Sequence, residues 1–102
     1  MAHAFPLEQV GDEAVAIINE VLKRRVGRYG LIRAEILPGE DHDGDPVIFV
    51  ETRHKRTDVP VDARETAGAI SEIRRKLIGI GEYRFPHVRY HFAKGQPIRG
   101  YT

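Results

Sequence analysis

Hydrophobic and polar residues follow a helical period in two stretches of this chain and alternate in two others, with a continuous apolar run, Val47 to Val50, between those two. From about Leu7 to Val26, residues Ala14, Val15, Ile17, Ile18, Val21 and Leu22 recur at helical spacing among Glu13, Asn19, Glu20 and Lys23. Acidic Glu8, Asp12 and Glu13 come early and Lys23, Arg24 and Arg25 late, as the helix dipole favours, and Gly27 is a natural stop. Gly11 allows a later start, with Asp12 as N-cap.

The run 31–37 then alternates Ile32, Ala34 and Ile36 against Arg33 and Glu35, and predicts a strand. A polar loop, Pro38 to Pro46, leads to a second strand, Val47 to Arg53, rich in β-formers. This pair reads as antiparallel. After a turn over Thr57 to Val61, Asp62 with Glu65 three residues later resembles a capping box. Ala63, Ala67, Ile70, Ile73, Leu77 and Ile78 supply the buried stripe of a second helix, which Gly79 and Gly81 end.

The third strand, Phe85 to Phe92, sets Val88, Tyr90 and Phe92 against His87, Arg89 and His91. From Ala93 on, Gly95, Pro97 and Gly100 predict an irregular C-terminal tail, 93–102.

The order helix–strand–strand–helix–strand predicts an α+β two-layer sandwich, with two helices packed on one face of a three-stranded sheet. Strand order is open, because the last strand can pair with either of the first two. At 102 residues the chain reads as one domain, large enough to bury about two-thirds of its unfolded surface.

The second face of that sheet is unbalanced. Val47 and Phe49 point away from Ile48 and Val50, Leu31 and Leu37 add apolar groups at the ends of the first strand, and on the middle strand only Glu51 and Arg53 make that face polar. Burying a Phe or a Val stabilises by about 1.5–3 kcal/mol each, so a cover is expected. Candidates are Phe5-Pro6-Leu7, the tail residues Ile98 and Tyr101, or a second copy of the chain. The expected binding surface is Arg33, Glu35, Phe49, Glu51, Arg53, His87, Arg89 and His91.

Catalysis is poorly supplied. There is no Cys, and the single Ser, Ser71, falls within the second helix, away from the exposed turn a nucleophile needs. A small acid–base enzyme using His87, His91, Glu35 or Glu51 ranks third among the readings, and no catalytic residue is assigned.

Asp41, Asp43 and Asp45 match the first ligand spacings of a calcium loop, but Pro46 stands where glycine is needed and Thr52 where glutamate is needed. Such a loop reads as a solvated turn. Arg89 between His87 and His91 would repel a metal, so neither metal nor cofactor is assigned.

Basic clusters at Lys23-Arg24-Arg25 with Arg28, at Arg53-His54-Lys55-Arg56 and at Arg74-Arg75-Lys76 make nucleic-acid binding the runner-up. The net charge of only +1, and the absence of a helix-turn-helix, weigh against it. No apolar run is long enough for a membrane helix and no secretion signal opens the chain, so a cytoplasmic protein is expected.

Asp45-Pro46-Val47-Ile48-Phe49-Val50 and Gly81-Glu82-Tyr83-Arg84-Phe85-Pro86 resemble motifs of small bacterial α+β proteins of similar length with no assigned function. That resemblance spans roughly 31–92 and implies no catalytic residue. The element order also looks like the cytoplasmic domain of cation diffusion facilitators, a dimerising module, although the ligands of that family have no counterpart here. The chain is therefore expected to act without catalysis, as a homodimer or as the partner of another protein.

Overall fold

The computed structural model describes residues 8–99. Helix α1 spans Asp12–Val26, strand β1 Leu31–Glu40, β2 Pro46–His54, β3 Val61–Asp62, helix α2 Ala63–Gly79, β4 Phe85–His91 and β5 Ile98–Arg99. Strands β1, β2 and β4 form one sheet in that order, and β3 pairs with β5 in a small second sheet. The fold is the expected two-layer α+β arrangement.

The β1–β2 pair is antiparallel and the β2–β4 pair parallel, which settles the open strand order. A parallel pair requires a long crossover, and α2 provides it. Ala14, Ile18, Val21, Leu22 and Val26 of α1 meet Ala69, Ile73 and Leu77 of α2 over Ile48 and Val50 of β2, forming the core.

Several local expectations need correction. Helix α1 starts at Asp12 with Gly11 as N-cap, not near Leu7. Gly27 is the C-cap of α1, as expected, but the chain winds on through a short 3-10 turn, Gly27–Tyr29, and Gly30 (φ 77°) makes the break. A Cβ on Gly30 would lie 2.2 Å from the Lys55 carbonyl oxygen, so the close approach of β1 to the end of β2 also requires glycine.

A β-bulge between Leu31 and Arg33 turns Ile32 outward, 60% exposed, and puts Leu31 against the core beside His54. Ile32 therefore does not share the face of Ala34 and Ile36. Strand β1 also continues through Pro38 and Gly39 to Glu40, leaving a shorter hairpin loop than the sequence suggested.

Asp62 caps α2 by accepting from the Arg64 amide at 2.9 Å, but the capping box does not close. The Asp62 amide donates to the Tyr29 hydroxyl at 3.2 Å, and Glu65 instead takes Arg25 at 3.3 Å. The buried stripe of α2 is Ala69, Glu72, Ile73 and Leu77; Ala63, Ala67 and Ile78 are exposed. Glu72 occupies a core-facing position because Arg24, Arg25 (2.6 Å) and Lys76 (3.2 Å) surround its carboxylate. These partners, Arg24 foremost, hold its pKa down to about 2.

The segment after β4 is irregular through Pro97, then closes as β5 on β3. Gln96 anchors it, accepting from the Thr57 amide at 2.8 Å and donating to the Val59 carbonyl at 2.8 Å. Among the described residues, no helix is long and apolar enough to cross a membrane.

Candidate interaction surface

Register places the eight predicted surface residues together. Arg33, Arg53 and His91 form one cross-strand row; Glu35, Glu51 and Arg89 form the next. Leu37, Phe49 and His87 follow, then Gly39, Val47 and Phe85. One end of this face is charged and the other apolar. Parity selects the residues of this face, since Ile48, Val50, Thr52 and His54 take the opposite one under the helices, and the order along the strands divides it into its two ends.

Glu51 organises the charged end. His91 Nε2 donates to it at 2.5 Å, and Arg89 Nε lies 3.7 Å from its second oxygen. The His91 hydrogen bond is the main reason that its carboxyl lies below the usual range, with Arg89 and Arg53 adding to the effect. Arg33, Glu35, Arg53 and Arg89 themselves are exposed.

The apolar end is built from rings. His87 sits between Phe49 (centroids 5.8 Å apart) and Phe85 (4.9 Å), and the Arg74 guanidinium from α2 lies 5.1 Å from the Phe85 ring centre. Phe49 leans across to β1, where a Cβ on Gly39 would stand 2.4 Å from its ring. The bare Gly39 backbone is thus a seat for that ring.

Leu37 stays 56% exposed and Phe85 38%, whereas Val47 is buried. Phe85 was missed as a surface residue, although its parity with His87 marks it. A shallow groove of about 300 Å³ continues from these residues along the outer edge of β4 to Ile70.

The expected covers fare unequally. Phe5-Pro6-Leu7 and Tyr101 lie outside the described residues. Ile98 is held in β5 beside Val61, in the other sheet.

His87 and His91 do not converge, since one packs among rings and the other bonds Glu51. Among the described residues, no group of three or more His, Asp or Glu side chains is placed to hold a metal. In the acidic loop, Asp41 Oδ1 accepts the amides of Asp43 (2.9 Å) and Asp45 (3.0 Å), so that carboxylate serves the turn itself.

Two polar sites are sealed within the fold. Glu82 and Arg84, 0% and 1% exposed in their side chains, form a two-pronged ion pair at 2.7 and 2.9 Å. Arg84 also donates to the Gln9 carbonyl at 2.8 Å, pinning the corner after α2 to the approach to α1. The sequence suggested the pair but not its burial or its reach to Gln9.

His54 Nδ1 donates to the Tyr29 carbonyl at 3.0 Å, and its Nε2 faces Thr52 Oγ1 at 2.8 Å. A hydroxyl beside an imidazole resembles a nucleophile and its base. Both are buried, however, with the Phe92 ring 4.5 Å from the imidazole. Burial favours the neutral ring and pushes the His54 pKa down.

Comparison of the chain with protein-family models, with curated proteins and with solved structures found no match.

Proposed function

We propose that this protein is a non-catalytic association module that docks another polypeptide on the open face of its sheet. The observation that carries this reading is the exposed apolar end, Leu37 and Phe85 flanking Phe49, set beside ordered charge on one rigid surface. Partly exposed rings at the apolar end supply a desolvation gain on contact, and the charged rows supply register and selectivity. The carboxylate–imidazole pair of Glu51 and His91 is accessible, but it lies on the open sheet face rather than in a cleft that would hold a substrate, so catalysis is the weaker reading.

The nucleic-acid alternative loses much of its footing in the helices. Arg24, Arg25 and Lys76 gather around Glu72, with Glu20 and Glu65 taking further contacts. Those side chains are neutralised within the protein rather than presented to phosphate.

A photoreactive residue placed at Leu37 in the cell is expected to give a discrete polypeptide adduct that Phe49→Asp abolishes. The same residue placed at Ser71 on α2 should give none. An adduct equal at both positions, or one indifferent to Phe49→Asp with the circular dichroism spectrum unchanged, would overturn this reading. An adduct to nucleic acid instead would establish the alternative.

A further inference from the structure

Strands β1 and β4 are the two edges of the main sheet, and they are not equally closed to a further strand. A bulge interrupts β1 between Leu31 and Arg33, and Pro38 removes a donor toward its other end. Strand β4 carries only Pro86, at its start. We propose that the outer edge of β4 takes up an extended polypeptide segment, alternating acidic and apolar residues, as an added strand. This site is the rim of the sheet and stands whether or not a polypeptide docks on the open face.

The backbone sets the edge. The Lys55 amide donates to the Gly30 carbonyl at 2.9 Å, and the Asp45 carbonyl accepts from the Asp41 amide at 3.0 Å. Backbone groups alternate in direction along a strand, so Val47, Phe49, Glu51 and Arg53 turn theirs to β1, and Ile48, Val50 and Thr52 turn theirs to β4. The parallel register sets Thr52 beside Tyr90, and the Arg89 carbonyl accepts the Thr52 hydroxyl at 3.4 Å. His87 and Arg89 therefore bond inward to β2, whereas Pro86, Val88 and Tyr90 face outward. Among the described residues no strand pairs with that side. Pro86, which has no N–H, costs the sheet nothing there, and the N–H and C=O groups of Val88 and Tyr90 remain to pair with an incoming chain.

The side chains beside the edge select its occupant. Val88 and Ile70 of α2 line the helix side of the groove of about 300 Å³ at this edge and offer an apolar contact. On the open side Arg89 lies 3.7 Å from Glu51, whose closer partner is His91 at 2.5 Å, and the Arg89 side chain is 68% exposed. Arg74 reaches from α2 to within 5.1 Å of the Phe85 ring centre, and among the described residues no carboxylate pairs with it. Strand side chains alternate, so a segment that turns apolar residues to Ile70 presents the residues between them to Arg89 and Arg74. Carboxylates at those positions meet unneutralised charge, and ammonium groups would be repelled.

The probe is a capped heptapeptide that alternates glutamate and valine, compared with the same peptide carrying lysine for glutamate. Fluorescence anisotropy with the full chain should show the glutamate peptide bound at least about tenfold more tightly than the lysine peptide. Amide hydrogen exchange should slow at Val88 and Tyr90 when the glutamate peptide binds, while His87 and Arg89, already paired with β2, change little. R74E and R89E should each weaken binding, with unchanged circular dichroism showing that both are folded.

No binding up to millimolar peptide overturns the proposal, as does equal binding of the two peptides or binding indifferent to both variants. Binding that leaves the Val88 and Tyr90 amides unprotected overturns strand addition. Amides already protected in the free chain show an edge closed from within. Protection that grows with protein concentration alone gives the edge to a second copy, and either result displaces the acidic segment.

Discussion

Strand β2 offers two faces built from neighbouring residues of one nine-residue segment, and they obey opposite rules. On the closed side Ile48, Val50, Thr52 and His54 are buried under the helices, and each polar group there has a fixed partner. On the open side Phe49, Glu51 and Arg53 are partly or fully exposed, and their contacts are cross-strand rather than cross-layer. The contrast separates stability from recognition within a single strand. Substitutions on one side should unfold the protein, and substitutions on the other should leave it folded but change what it meets.

The largest effect is expected at the sealed ion pair on the helix side of the molecule. Glu82→Ala would leave Arg84 buried without its carboxylate, a change worth about 3–5 kcal/mol, read as a large fall in the urea midpoint. A loss below about 1 kcal/mol would mean that Arg84 finds solvent readily and that the corner is not closed.

A smaller, pH-dependent effect should come from His54. Its folded pKa lies below the ordinary value of 6.5, so the unfolded chain binds the extra proton first. Stability from this group is complete above about pH 6.5 and declines as the pH falls toward the folded-state pKa. Urea unfolding between about pH 7.5 and 5.5, above most of the range in which Glu51 and Glu72 titrate in the unfolded chain, should show this decline, and His54→Gln should flatten it.

The smallest stability effect belongs to the open side. Leu37→Asp should shift the unfolding midpoint by no more than about 0.5 kcal/mol, because more than half of Leu37 already meets water. A large loss would show that the two faces are not separable in this way.

Much of the fold was legible because alternation fixes parity, and parity assigned all eight surface residues to one face. Alternation cannot report an inserted residue, so the bulge that expels Ile32 and draws Leu31 inward left no sequence signal. Periodicity also failed at Glu72, since a carboxylate enters a buried stripe only when arginines from another helix reach it. The pairing of β4 with β2, and the small sheet closed by Gln96, depend on contacts distant in sequence, which local patterns do not contain.

The vacant position at Gly39 gives the open face an adjustable height. A single methyl group there would dislodge the Phe49 ring from its seat and tilt it outward, altering the relief of the surface without adding or removing charge. Shape and electrostatics at this site can therefore be varied independently, one through a glycine and the other through Glu35 and Arg89.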